Sequence, residues 1–180
     1  MPQVEEKRTL SPGCPPERTH FAPCRAACPV NTDVQNYVWL IGEGRYTDAL
    51  EVIRSVNPIA SACSLICHHP CEQQCRRCEV DEPLAIRHLK RFALEQATDY
   101  RRAKRKAVPK TKEKSVGIIG SGPAGLTAAS DLADLGYPVT IYEQNPDLGG
   151  MLSAAIPTYR LSREALKEDV DDVLAKGVEA

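Results

Sequence analysis

The sequence predicts an α + α/β chain: a helical, cysteine-rich segment followed by the opening of an α/β unit. Two observations carry that prediction. Five of the eight cysteines crowd into residues 63–78, "CSLICHHPCEQQCRRC", within a region whose apolar residues recur at helical spacing. From Ser115 the grammar changes to strand, glycine turn and helix, in "SVGIIGSGPAGLTAASDLADLGYPVTIYEQ".

The frame is unremarkable in charge and size. With 180 residues, 42% of them hydrophobic, and a formal net charge of -1, the chain has length for one ordinary domain or two small ones. It has no charge excess of the kind that draws nucleic acid or an acidic membrane. Its first twenty residues mix charges and prolines without the apolar core of a signal peptide, and no later stretch is long enough to insert in a membrane. A cytoplasmic location follows as the expectation, and there clustered thiols are metal ligands or redox groups more often than disulfides.

Taken in order, residues 1–21 form an N-terminal extension and residues 22–100 the helical, cysteine-rich domain. Thr32 or Asp33 caps a first helix that Gly42 and Gly44 close, and Ala49, Leu50 and Ile53 give a second helix its apolar face before Asn57-Pro58 stops it. Pro83 suits the first turn of a further helix, along which Ile86, Leu89 and Ala93 recur. Residues 101–114, "RRAKRKAVPKTKEK", are a basic linker, and the absence of aromatic residues from it argues against nucleic-acid stacking. Residues 115–180 begin the α/β domain.

Val116 to Ile119 read as a buried parallel strand, and Gly120, Gly122 and Gly125 take the three positions of a dinucleotide-binding fingerprint, with Pro123, Ala124 and Leu126 completing the turn. Val139 to Tyr142 supply a second strand and Glu143 stands at its end, followed by Gln144. The helix that starts at the turn aims its N-terminal amides at a pyrophosphate, while the Glu143 carboxylate accepts from ribose hydroxyls and repels a 2'-phosphate. FAD or NAD therefore suits the site better than NADP. The pair Gly149-Gly150 before Met151, in "DLGGML", is of the kind seen in glutathione-reductase-like flavoproteins and favours FAD. The predicted class is thus a helical iron-sulfur domain followed by the start of a Rossmann-like FAD-binding domain, for the following reason.

Cys14 stands alone, Cys24 pairs with Cys28 in "APCRAACPV", and Cys63, Cys67, Cys71, Cys75 and Cys78 follow at intervals of four, four, four and three. A structural zinc site usually shows two separated C-x2-C pairs, which are missing here. Reduced, unliganded thiols and zinc remain alternatives. Iron-sulfur clusters fit better, since a 4Fe-4S cluster takes four thiolates and eight cysteines suffice for one or two. His68 and His69 are also able to ligate, but a histidine beside a ligand more often donates a hydrogen bond to cluster sulfur and tunes its potential.

The runs "APCRAACPVNTDVQNYVWLIGEGRYTDALEVIRSVNP", "CHHPCEQQCRR", "DEPLAIRHLKRFA" and "GSGPAGLTAASDLADLGYPVTIYEQNPDLGGMLSAAIPTYRL" resemble, in that order, the small (beta) subunit of bacterial glutamate synthase. They are also similar to its relatives, the N-terminal part of dihydropyrimidine dehydrogenase and the large subunit of NADH-dependent ferredoxin:NADP oxidoreductase. The resemblance implies two 4Fe-4S clusters in a helical domain and a flavoprotein that passes electrons between NAD(P)H, FAD and the clusters. It places Cys24, Cys28, Cys67, Cys71 and Cys75 at cluster-ligating positions. It also implies that Arg160, in "IPTYR", reaches the FAD phosphates or ring edge.

Two departures change the expected ligand sets. Several relatives carry a C-x2-C pair upstream of the Cys24 position, where this chain reads "PPERTHFAP" with only Cys14 nearby, so one cluster recruits Cys14 or Cys78 or stays incomplete. Some relatives complete the other cluster with Gln or Glu where this chain has Lys90, an ammonium that cannot ligate, leaving Cys63 or Cys78 to substitute. Cys63 also matches a cysteine that recurs in relatives without being a ligand. A final helix capped by Ser162 carries the stripe Leu166, Val170, Val173 and Leu174, and "VEA" reads as a strand beginning. Two strands and part of a third leave helix faces uncovered, so residues 115–180 read as the first part of a larger domain. With one glycine fingerprint present, the NAD(P)H site is expected outside this chain, on a missing C-terminal portion or a redox partner subunit. The alternative function is a non-enzymatic electron-transfer or docking module serving a separate flavoprotein.

Overall fold

The structure, a computed structural model, describes residues 21–97 and 107–180. Cys14 and most of the basic linker lie outside the described residues. Helix α1 (Pro23–Ala26) is a single turn opened by proline, whose missing N–H costs nothing at that position. Helix α2 (Val34–Gly42) starts where the Asp33 carboxylate accepts from the Asn36 amide at 3.4 Å, and it buries Val34, Tyr37 and Leu40 on one face. Gly44, at φ +72, turns the chain into α3 (Tyr46–Arg54), which buries Ala49, Leu50 and Ile53.

Helix α4 (Ala60–Ile66), the turn α5 (Pro70–Gln73) and a 3-10 turn (Arg76–Glu79) carry the cysteine-rich run. Helix α6 (Ile86–Gln96) then closes the first core with Ile86, Ala93 and Leu94 against α2 and α3. It begins three residues later than Pro83 suggests. A Glu72 carboxylate oxygen accepts from the Arg87 amide at 2.8 Å, capping the helix at Ile86 from outside the segment.

In the second part, β1 (Val116–Ile119) and β2 (Val139–Tyr142) pair in parallel with Val116 opposite Val139 and Ile119 opposite Tyr142. Helix α7 (Pro123–Asp134) makes the crossover between them. A turn α8 (Met151–Ala154) and helix α9 (Arg163–Leu174) follow, the latter capped by the Ser162 hydroxyl accepting from Ala165 N. Glu179 then bridges Thr140 on the other edge of β2. The second core joins Leu126, Ala129, Val139, Ile141, Leu166, Val170 and Val173. No helix among the described residues is long and apolar enough to cross a membrane.

Helix α4 belongs to both cores: Ala60 faces the first, while Ala62, with Ile59, Leu65 and Ile66 beside it, packs in the second. It has no cap of its own, because the residue at its N-cap is Ile59. Asp169, fully buried on α9, supplies one: its carboxylate accepts from Ser61 N at 3.0 Å and Ala62 N at 2.8 Å. The Arg54 guanidinium donates to Asp169 at 3.1 Å and to the Pro58 carbonyl at 3.0 Å, and also pairs with the buried Asp172. Asp169→Ala leaves a buried guanidinium short of a partner and two helix amides bare. It is expected to lower unfolding free energy by about 3–5 kcal/mol in urea titrations. Asp171→Ala, which removes the exposed pair with Lys167, should cost less than about 1 kcal/mol.

Candidate functional site

Helix α4 places Cys63 and Cys67 one turn apart, with Cys67 as the residue that ends it in an extended conformation. His69, at φ +49, and Pro70 then reverse the chain into α5, which carries Cys71. The loop after α1 brings Cys28 to the same place. Cys28, Cys63, Cys67 and Cys71 line one pocket together with Tyr37, His69 and Lys90. The His69 amide donates to the Cys67 sulfur at 3.3 Å, and the Arg87 guanidinium holds the Cys67 carbonyl at 3.0 Å. His69 Nδ1 lies 3.2 Å from a Glu72 oxygen, without the alignment of a hydrogen bond.

The thiols differ in acidity for identifiable reasons. Burial pushes Cys71 up to about 11, helped by the neighbouring Cys28 and opposed by Lys90. Cys63 is raised by burial against the pull of the Asn57 side chain and Lys90. At Cys28 burial also works upward, but the Thr32 hydroxyl, 3.5 Å away, the Thr32 and Val30 amides and Lys90 outweigh it and lower the thiol. Metal binding takes the thiolate form, so these values describe protons that a bound centre displaces.

Cys24 and Cys75 are outside the lining of that pocket, and Cys24 is near enough to Cys75 to feel its charge. Burial raises Cys24, partly offset by the Arg25 amide, and the Cys75 thiol adds to the rise. Cys78 stands apart: it is exposed, with its sulfur 3.7 Å from the Glu72 carbonyl. Among the described residues no three His, Cys, Asp or Glu side chains gather closely enough to share a single ion.

At the glycine turn, each fingerprint position has its own steric reason. Gly120 adopts φ +92. A Cβ on Gly125 would lie 2.0 Å from the Gly120 carbonyl oxygen, so only glycine lets α7 sit this close to the turn. Gly150, at φ +54, has its missing Cβ 2.8 Å from the Gly122 Cα. Gly122 differs: a Cβ there would meet no protein atom within 4 Å, and the backbone is ordinary. The α7 N-terminus therefore has open space in front of it, and its unpaired amides make such a place suited to an anion.

The first 4Fe-4S-type region and the glycine turn both have counterparts among known proteins. The family model described as dihydropyrimidine dehydrogenase domain II, 4Fe-4S cluster, matches residues 13–102, half of the chain. The chain belongs to that family. A second model, an NAD(P)-binding Rossmann-like domain, matches residues 118–165. The beta subunit of an NADP(+)-dependent formate dehydrogenase from Moorella thermoacetica is 41% identical over 180 residues, covering 87% of this chain and 25% of that protein. The beta subunit of an NADPH-Fe(3+) oxidoreductase from Geobacter sulfurreducens is 41% identical over 162 residues, covering 89% and 24%. The PreT subunit of an NAD-dependent dihydropyrimidine dehydrogenase from Salmonella typhimurium is 35% identical over 194 residues, covering 99% and 46%. The chain thus spans from about a quarter to just under half the length of these relatives.

Within this 4Fe-4S family member, the sequence-predicted residues fall into distinct places. Pro123, Ala124, Gln144, Met151 and Arg160 are exposed, and Leu126 is fully buried under the turn. Three residues that sequence reasoning passed over matter to the geometry. Ser121, fully buried, donates from its hydroxyl to Glu143 at 2.6 Å and accepts from the Gly149 amide at 3.0 Å, tying the turn to both the acid and the glycine pair. Glu72 caps α6, and the buried Asn57 side chain pulls the Cys63 thiol down against its burial. Ser121 lay in plain sight inside the fingerprint, but nothing in its spacing says that its hydroxyl points inward.

Glu143 is held down to about 2 by the Ser121 hydroxyl first, then the Ser121 amide and the Asn145 amide. Because the folded value lies below the ordinary 4.5, its contribution to stability is complete above about pH 4.5 and is lost as pH falls towards 2. Ser121→Ala should move the Glu143 titration upward towards 4.5 in carboxyl 13C NMR and raise the pH of acid unfolding.

Proposed function

We propose that this chain is the N-terminal part of an NAD(P)H-dependent FAD and iron-sulfur oxidoreductase that passes electrons between FAD and 4Fe-4S clusters. The observation that carries the reading is the meeting of Cys28, Cys63, Cys67 and Cys71 around one pocket, with Cys63 on a helix, ended by Cys67, that also packs in the core of the glycine-turn module. Membership of a 4Fe-4S family and similarity to oxidoreductase subunits support it. We place the cluster-binding part at residues 22–100, after an extension of residues 1–21, and the flavin part at 115–180, across the linker 101–114.

In this reading Cys28, Cys67 and Cys71, with a fourth group from the pocket, hold one cluster. Cys24 and Cys75 hold a second, with Cys14 and Cys78 as the cysteines left to complete it. FAD, when bound, supplies the conversion of a two-electron hydride into single electrons. The protein's part is to hold and orient. The α7 N-terminus faces the phosphates across Gly122, and Gly149-Gly150 and Arg160 flank the approach. Glu143 meets the ribose: its two oxygens take donors from Ser121 and Asn145, and the exposed Asn145 amide is the one a ribose hydroxyl displaces. The NAD(P)H site lies on a further portion or on a partner subunit, and the setting is cytoplasmic.

Anaerobic purification, with iron, sulfide, zinc and flavin measured per chain, tests the reading. About four iron and four sulfide per occupied site, up to about eight of each, with a dithionite-reducible EPR signal, are expected. One zinc per colourless chain would defeat it. Gly122→Ala separates the flavin role from folding. Stability should hold or rise by up to about 1 kcal/mol, since the backbone there suits alanine. Flavin affinity should fall at least about tenfold, a loss of about 1.4 kcal/mol.

A further inference from the structure

Lys90 is a cation in an unusual place. It lies on the buried face of α6, only 8% exposed, and lines the pocket together with Cys28, Cys63, Cys67 and Cys71. Among the described residues no carboxylate is paired with it. A buried ammonium without a counter-ion is costly, and buried charges are normally paired or placed beside metal centres. Among the side chains that line this pocket, the thiols are the ones that become anionic when they bind a metal centre.

A second observation points the same way. Asn57 is 2% exposed, and its Nδ2 finds no acceptor within hydrogen-bond geometry, although its side chain acts on Cys63. A buried amide donor without an acceptor is uncommon in folded proteins and destabilising. It gains an acceptor if Cys63 carries a negative charge. Cys78, the other cysteine available as a substitute, is exposed and faces the Glu72 carbonyl outside the pocket.

Resting on the cluster reading above, we propose that the pocket is a four-thiolate site in which Cys63 is the fourth ligand and Lys90 is a fixed counter-charge that does not ligate. An ammonium has no lone pair to offer a metal. A cluster held by four thiolates is anionic, and reduction adds another negative charge. A nearby buried cation therefore favours the reduced form and raises the potential. Asn57 acts behind Cys63, donating to its sulfur.

The test uses the anaerobically purified chain in its natural holoprotein, with the pocket cluster's signal assigned by its loss in Cys67→Ser. Cys63→Ala should leave about three irons at the site and an EPR signal before reduction, as a three-iron cluster gives. Full wild-type iron with a silent oxidised state would overturn the ligand assignment. Lys90→Met should keep wild-type iron but titrate at a more negative potential, while Lys90→Arg stays close to wild type. An unchanged potential in Lys90→Met, or loss of iron in both Lys90 variants, would overturn the counter-charge role. A wild-type protein free of iron and sulfide would instead sink the cluster reading itself, a result distinct from either.

Discussion

The Asp169 carboxylate is the contact on which the geometry of the thiol pocket rests. Helix α4 is short, begins after an isoleucine that cannot cap it, and ends at Cys67. Seven residues of helix are marginal alone, so its position depends on tertiary contacts. Asp169 provides two of its N-terminal hydrogen bonds and Arg54 locks Asp169 in turn, tying together α3, α4 and α9. Because Cys63 and Cys67 ride at the other end of α4, a carboxylate from the glycine-turn module determines where two pocket thiols stand.

Two cations with largely buried side chains among the described residues, Arg54 and Lys90, are answered in contrasting ways. Arg54 is fully enclosed by protein groups: two carboxylates, the Pro58 carbonyl and the Ser61 hydroxyl. Its planar fork suits several acceptors at once. Lys90 is a compact charge that lines the thiol pocket. The first is a joint of the fold, made between α3 and α9. The second stands where thiolates would answer it.

What the sequence made legible is what local chemistry determines. Asp33 and Ser162 cap the helices expected of them, both strands fall at the expected residues, and Gly44 and Gly120 take the positive φ that their turns demand. The cysteine spacing was legible only in part. Intervals of four suggest one helix face, yet the left-handed His69 and Pro70 break the helix. Cys63, Cys67 and Cys71 therefore converge on the pocket, while Cys75 associates with Cys24 instead. Illegible were the contacts between residues distant in sequence: Glu72 on the Arg87 amide, Arg54 on Asp169, Asn57 beside Cys63. On α9 the apolar stripe was plain, but Asp169 and Asp172 stand buried on the same helix. Burial of two acids within one amphipathic helix was the available signal that this face meets a cation.

Helix α9 also explains why the glycine pair and the thiol pocket are not independent. Leu166 packs so close under Gly149 that a Cβ there would lie 2.9 Å from its methyl carbon. Asp169 follows three residues later, about 4.5 Å along the helix axis at 1.5 Å per residue. One turn of a single helix thus supports the Gly149-Gly150 loop and caps the helix that carries Cys63 and ends at Cys67. The glycine pair and the cysteine helix thus share one helix as their support, through Leu166 on one side and Asp169 on the other.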